Sequence, residues 1–177
     1  MLKLRGSWGR IGDDNVGGRW LYQDSWGYQN SNTYLGLIPT ATPYSYYRIT
    51  SLGNENISWE TVEKRNVGID YSFFKGLIAG SVDIFSDKRK DILVSGGSRS
   101  IPSFFGATAP TANLGSTKSH GYELELRLNY MFANKMRLWA NTNYTHAVNE
   151  VIFRDDPVLR DAHRKAAGHA IGQTNSL

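Results

Sequence analysis

The chain of 177 residues contains no cysteine, which excludes disulfides and thiolate chemistry. It also lacks any run of about twenty apolar residues, so no helix of the kind that crosses a bilayer is expected. The opening Met1-Leu-Lys-Leu-Arg5 has neither the apolar core nor the small-residue cleavage site of a secretory signal. If the chain resides outside the cytoplasm, we therefore expect it to do so as part of something larger. A basic stripe is missing as well. The formal charge is +4 and the pI about 9.3, yet the densest basic group, Lys88-Arg89-Lys90, is bracketed by Asp87 and Asp91. Nucleic-acid binding, which needs clustered cations, is not indicated. The mean hydropathy of −0.43 fits a water-soluble domain and equally a transmembrane β-barrel, in which only alternate residues face lipid.

What the chain has is aromatics and alternation. Five Trp, ten Tyr and seven Phe suit strands and apolar–water boundaries. Around Phe74-Lys75-Gly76, Val67, Ile69, Tyr71 and Phe73 alternate with Asn66, Gly68, Asp70 and Ser72. Beyond the turn, Ile78, Gly80, Val82 and Ile84 alternate with Ala79, Ser81 and Asp83. The period of two predicts two long strands and a tight turn. The cleanest alternation is Gly121 to Tyr130, with Tyr122, Leu124, Leu126, Leu128 and Tyr130 on one face and Glu123, Glu125, Arg127 and Asn129 on the other. A turn at Ala133-Asn134-Lys135 leads into a further strand in which Met136, Leu138, Ala140, Thr142 and Tyr144 share a face. Near the start, Leu2, Leu4 and Trp8 do the same.

The pattern predicts an all-β chain, an antiparallel meander of about five long strands near 2–10, 59–74, 77–94, 118–132 and 135–153. The connections 11–58, 95–117 and 154–177 read as loops, with short β segments at Arg19–Tyr22 and Tyr44–Thr50 inside the first. Short turns and long loops alternate along the chain, so antiparallel pairing gathers the short turns at one end and the long loops at the other. Outer-membrane barrels have this asymmetry, with short periplasmic turns and long extracellular loops. The apolar face is then the lipid face: Leu4, Ile69, Tyr71, Phe73, Ile78, Val82, Ile84, Leu124, Leu126, Leu128, Tyr130 and Leu138. Tyr71, Phe73, Tyr130 and Phe132 form an aromatic girdle beside the short turns. Asp70 and Asp83 face the lumen. A soluble β-sandwich alternates in the same way, but its strands run to about five or six residues.

In the long loops, Tyr28, Tyr34, Tyr44, Tyr46 and Tyr47, with Arg99, Phe104 and Phe105, are the candidate contacts for substrate or partner. They stack on sugar rings in one reading and pack the loops in the other. Asp13, Asp14 and Asn15 offer hard oxygens to calcium, or simply bond their own backbone in a turn. Asp161, His163, His169 and His146 hint at acid–base or further metal chemistry, and no nucleophile accompanies them. No enzyme activity and no cofactor are expected.

Several motifs in order resemble the SusC/RagA-type TonB-linked outer-membrane proteins (TonB-dependent receptors). They are Leu4-Arg-Gly-Ser-Trp-Gly-Arg-Ile-Gly-Asp-Asp-Asn15, Ile57-Ser-Trp-Glu-Thr-Val-Glu-Lys-Arg-Asn-Val-Gly-Ile-Asp70, Gly80-Ser-Val-Asp-Ile-Phe85, Lys90-Asp-Ile-Leu93, Asn113-Leu-Gly-Ser-Thr-Lys-Ser-His-Gly-Tyr-Glu-Leu-Glu125 and Ile171-Gly172. Their order and spacing resemble the C-terminal half of that family's barrel over nearly the whole chain. The resemblance implies a fragment of a large plugged barrel of around twenty-two strands in the outer membrane of a Bacteroidetes-type cell. It implies import of oligosaccharides or peptides, with a SusD-like surface lipoprotein at the mouth and TonB acting through an N-terminal plug. Neither the plug nor a TonB box is recognisable in these residues. Five strands do not close a barrel, and an open sheet in lipid leaves its edges unsatisfied. The expectation is a chain inactive alone. The alternative from another class is a soluble carbohydrate-binding β-sandwich module using the loop tyrosines.

Overall fold

The computed structural model describes residues 1–14, 17–33, 44–156 and 164–173. Seven strands form among them: β1 (Leu2–Asp13), β2 (Ser25–Thr33), β3 (Tyr44–Ser51), β4 (Glu60–Phe73), β5 (Ile78–Val94), β6 (Ala112–Met131) and β7 (Arg137–Arg154). Five of them make one antiparallel sheet in the order β1-β4-β5-β6-β7, and β2 and β3 pair separately. The main sheet is the expected meander, since β1 and β4 are neighbours despite the long connection between them.

Register carries the amphipathic pattern across the whole sheet. Leu4, Ile69, Val82, Leu124 and Tyr144 lie in one row. The next row is Arg5, Gly68, Asp83, Glu123 and Thr145. Successive side chains on a strand point to opposite sides, so through these rows one face collects aliphatic and aromatic residues and the other charged ones. Toward the long connections the apolar face ends in the charged row Glu63, Lys88, Lys118 and Glu150. A one-residue slip at any pair would invert that sorting, and the apolar pattern thereby fixes the register.

The sheet is one layer thick. The buried apolar residues, Val62, Val94, Ala109 and Ala112, are few, and three of them lie where the 95–111 connection meets the sheet. None of the described side chains is fully buried. A β-sandwich places a second layer against the apolar face. Here that face is open, with Leu4, Val67, Ile84, Leu124, Leu126, Leu128 and Leu138 all exposed. The sandwich reading is thereby replaced by a single membrane-type wall whose outermost strands are β1 and β7.

The strands differ from expectation in several places. β1 continues to Asp13, pairing Asp13 with Glu60. β6 begins at Ala112, within the stretch expected to be loop. There Asn113 donates from Nδ2 to the Ser58 and Asp91 carbonyls at 2.8 and 2.6 Å, and its Oδ1 accepts from Ser58 N at 2.9 Å. Arg19–Tyr22 is not a strand. Trp20 has φ 62° and Gln23 N bonds the Trp20 carbonyl at 3.0 Å, closing a turn, and the strand starts at Ser25 instead. The turn after β4 is wider than two residues. Phe73 pairs with Ile78, and Phe74, Lys75 and Gly76 all have positive φ, at 51°, 55° and 93°.

Glycines let two aromatics lie flat across the sheet. Tyr71 is opposite Gly80 and donates its hydroxyl to the Glu125 carbonyl at 3.2 Å. A Cβ on Gly80 would overlap that carbonyl and crowd the Tyr71 hydroxyl. Phe85 lies over Gly121 on the other face, where an added Cβ would crowd its ring.

Candidate functional site

Three surfaces have distinct chemistry. The first is the charged face. Arg5 on β1 donates from Nη2 to Asp83 Oδ2 at 2.8 Å and to Asp70 Oδ1 at 2.9 Å, joining β1, β4 and β5. Its Nε reaches both Asp70 oxygens at 3.1 and 3.0 Å. Gly68 lies between them, and any Cβ there would strike Asp83 Oδ1. Lys64 pairs with Asp87 at 3.6 Å on the same face. Glu125 and Arg127 are 3.2 Å apart, also on that face. Ion pairs of this exposure are compatible with water and incompatible with lipid.

The second surface is the apolar face. All twelve residues expected to meet lipid lie on it by register. Beside the short turns on this face, Tyr71 and Phe73 stack with centroids 5.9 Å apart, and Tyr130 and Phe132 meet edge to face at 4.7 Å.

The third surface is the end carrying the long connections. β2 and β3 form a hairpin with Tyr28 opposite Tyr47 and Trp26 opposite Ile49, which places all four on one face. The Tyr28 and Tyr47 rings are 5.3 Å apart. Trp26 and Tyr47 are 63% and 69% exposed, so the face is an aromatic platform open to solvent. Trp26 was not among the candidates read from sequence; its alternation with Tyr28 was the available signal. Tyr46 and Tyr44 are elsewhere on β3, with Tyr46 on the opposite face and half-buried. Tyr34 lies outside the described residues. Asp24 Oδ1 accepts from Gly53 N at 2.8 Å, and Asn54 Nδ2 donates to the Thr111 carbonyl at 2.9 Å, tying the hairpin base to the sheet.

Beside this hairpin, Arg99 and the two phenylalanines separate in role. Arg99 is only 17% exposed in its side chain, bonding Asp155 Oδ2 from Nε at 3.2 Å and the Pro110 carbonyl from Nη1 at 2.9 Å. It pins the 95–111 connection to the end of β7. Phe104 is 89% exposed and Phe105 about half. The structure thus brings Tyr28 and Tyr47 together, but shows no contact between them and Arg99 or Phe104.

Among the described residues, no three of His, Asp and Glu gather to hold a metal. Asn15, Asp161 and His163 lie outside them. No helix of the described residues is long and apolar enough to cross a membrane, which says nothing of crossing by strands.

A long-stranded antiparallel sheet with one apolar and one charged face is the wall of a large transmembrane β-barrel. More specifically, the chain belongs to the family described as TonB dependent receptor-like, beta-barrel, whose model matches residues 2–168. It is 28% identical over 184 residues to the TonB-dependent receptor SusC of Bacteroides thetaiotaomicron, covering 97% of this chain and 18% of SusC. It is 28% identical over 155 residues to the TonB-dependent receptor P39 of Formosa agariphila, covering 86% of this chain and 13% of that one. Among solved structures it is similar in fold to the RagAB peptide importer in its open-open state. There the TM-score is 0.68 at 23% identity, covering 85% of this chain and 15% of the other. The chain therefore spans less than a fifth of the relatives it matches. These relatives are receptors and transporters of the outer membrane, not enzymes.

Proposed function

We propose that this chain is part of the wall of a TonB-dependent outer-membrane transporter that imports oligosaccharides or peptides together with a SusD-like lipoprotein. The observation that carries the reading is the row-by-row division of the five-stranded sheet into apolar and charged faces, in a chain of this family. The apolar face meets lipid and the Arg5–Asp70–Asp83 face lines the lumen. The turns at 74–77 and 133–136 face the periplasm, and the β2–β3 hairpin with the 95–111 connection stands at the extracellular mouth.

At that mouth the Trp26, Tyr28 and Tyr47 platform offers rigid aromatic area for sugar rings, apolar peptide side chains or the lipoprotein partner. Energy would come from TonB through a plug that these residues do not contain. Among the described residues, β1 and β7 are the edges of the sheet, with β7 paired at Val151 to Gly168 and His169, and an unpaired edge is not tolerated in hydrocarbon. Insertion thus requires the strands that flank it in a whole receptor.

The test is uptake by cells expressing a full-length receptor that carries this segment, with and without TonB. Labelled oligosaccharide or peptide should enter only when receptor and TonB are both present, and the receptor should co-purify from outer membranes with a lipoprotein. A detergent-free monomer that binds glycans without a membrane would overturn the proposal.

A further inference from the structure

On the apolar face, the strands run beyond the band that lipid would cover, and the chemistry of the face changes abruptly there. Ile78 and Lys88 lie on the same face of β5, ten residues apart. At about 3.3 Å per residue and a tilt near 40°, that is about 25 Å along the barrel axis, the height of the apolar band of such barrels. Directly below this level is the polar row of Arg65, Ser86 and His120, and below that the rows are Ile84 with Tyr122, Val82 with Leu124 and Ile78 with Leu128. At it, Lys88 stands directly opposite Lys118.

Like charges directly opposite on adjacent strands destabilise a sheet unless an anion lies between them. No such side chain is in place among the described residues. Glu63, across from Lys88 on β4, is turned to its own strand neighbour Arg65 and accepts from Trp8 Nε1 at 3.1 Å. Glu150 lies across from Lys118, yet neither lysine forms an ion pair with a described residue. Arg65, Ser86, Lys88, Lys118 and Glu63 line a recess of about 320 Å³. Immediately below it, sharing Ser86 and Lys118, is a second recess of about 520 Å³ lined by Ile84, Tyr122 and Val148. Arg65 is offset by Glu63, and the two lysines leave the recess with a net positive charge. Such a recess above an apolar one, at the level of the lipid headgroups, is complementary to a molecule with a phosphate above an acyl chain. Trp8, at the same height, is placed as aromatic anchors are at that boundary.

We infer that Arg65, Lys88 and Lys118 form a binding site for the phosphorylated headgroup of an outer-leaflet lipid. The inference rests on the reading that the Leu124 face meets lipid and the long-loop end faces outward. The site would fix the height of this wall in the membrane, and would hold a lipid beside the strands that bear the extracellular connections.

The experiment uses a full-length receptor carrying this segment, purified in neutral detergent and probed by native mass spectrometry with bisphosphorylated lipid A and with phosphatidylcholine. The wild type should bind lipid A in preference to phosphatidylcholine. The triple variant R65Q/K88Q/K118Q should lose about fivefold per charge, on the order of a hundredfold in all. A K88R/K118R variant should keep the affinity, and inorganic phosphate at millimolar concentration should not compete. Equal affinity in the wild type and the triple variant, with heat-modifiable gel mobility showing both folded, overturns the site. Competition by inorganic phosphate overturns it as a lipid site. In the same preparation L124C separates the two failures. If it reacts with a water-soluble maleimide, the face assignment and the site fall together. If it is protected and lipid affinity is unchanged in the triple variant, the site alone falls.

Discussion

Replacing Leu126 with Arg, and separately Glu125 with Arg, sets the two faces of β6 against each other one residue apart. Leu126 is flanked in register by Gly80 and Thr142, and Glu125 by Ser81 and Asn143. On the lipid face near the middle of the bilayer, an arginine costs about 2–4 kcal/mol. On the lumen face, E125R removes a pair whose members, Arg127 and Glu125, are 58% and 33% exposed in their side chains. Pairs of that exposure are worth about 0.2–1 kcal/mol, and the new arginine beside Arg127 is screened by water. The expected difference is about 1–4 kcal/mol, and a middle value of about 2 is roughly thirtyfold in the folding constant. Folding a full-length barrel carrying each variant into vesicles over a urea series, read by heat-modifiable gel mobility, measures it. Equal midpoints, or a larger loss for E125R, would refute the assignment of faces.

Other expectations follow from local packing. G68A should destabilise the barrel by about 1–3 kcal/mol because its methyl displaces the Asp83 carboxylate from Arg5, whereas G6A, with open space at its Cβ, should be near neutral in the same urea series. R99A should leave the barrel midpoint within about 1 kcal/mol while exposing the 95–111 connection, so that limited proteolysis cuts there first. Y28A/Y47A should leave folding intact and lower uptake of the imported substrate at least severalfold; unchanged uptake would remove the aromatic platform from the transport reading.

The parts of the fold legible in the sequence are those where a face is decided by solvent. In β4 to β7 the apolar–polar alternation runs through most of each strand, with Phe85 and Trp139 as exceptions on the charged face, and the face of a strand and the parity of its register follow from it. The β2–β3 hairpin was half hidden. Ser25–Thr33 is polar on nearly every position and has no buried face to write a pattern, so only Tyr44–Thr50 could be expected as strand. Aromatic content at Arg19–Tyr22 suggested β structure, but the backbone reverses at Trp20 to bring Gln23 to its carbonyl. The start of β6 escaped notice because Ala112 to Ser116 is held by Asn113 side-chain bonds and not by alternation. At the mouth, sequence marks Arg99 and Phe104 as equals, and only three dimensions separate a pinned arginine from an open ring. The facing of Lys88 and Lys118 depends on β5–β6 register, which no local pattern displays.

Under the proposed function this sheet is a wall, and one side of it meets lipid and the other meets water. Since the segment has no cysteine of its own, single cysteines at each position from Tyr122 to Tyr130, in a full-length receptor otherwise free of cysteine, read that wall directly in intact outer membranes. Labelling with a water-soluble maleimide should alternate, with positions 123, 125, 127 and 129 reactive and 122, 124, 126, 128 and 130 protected. Uniform reactivity along β6, or the opposite phase, would contradict it.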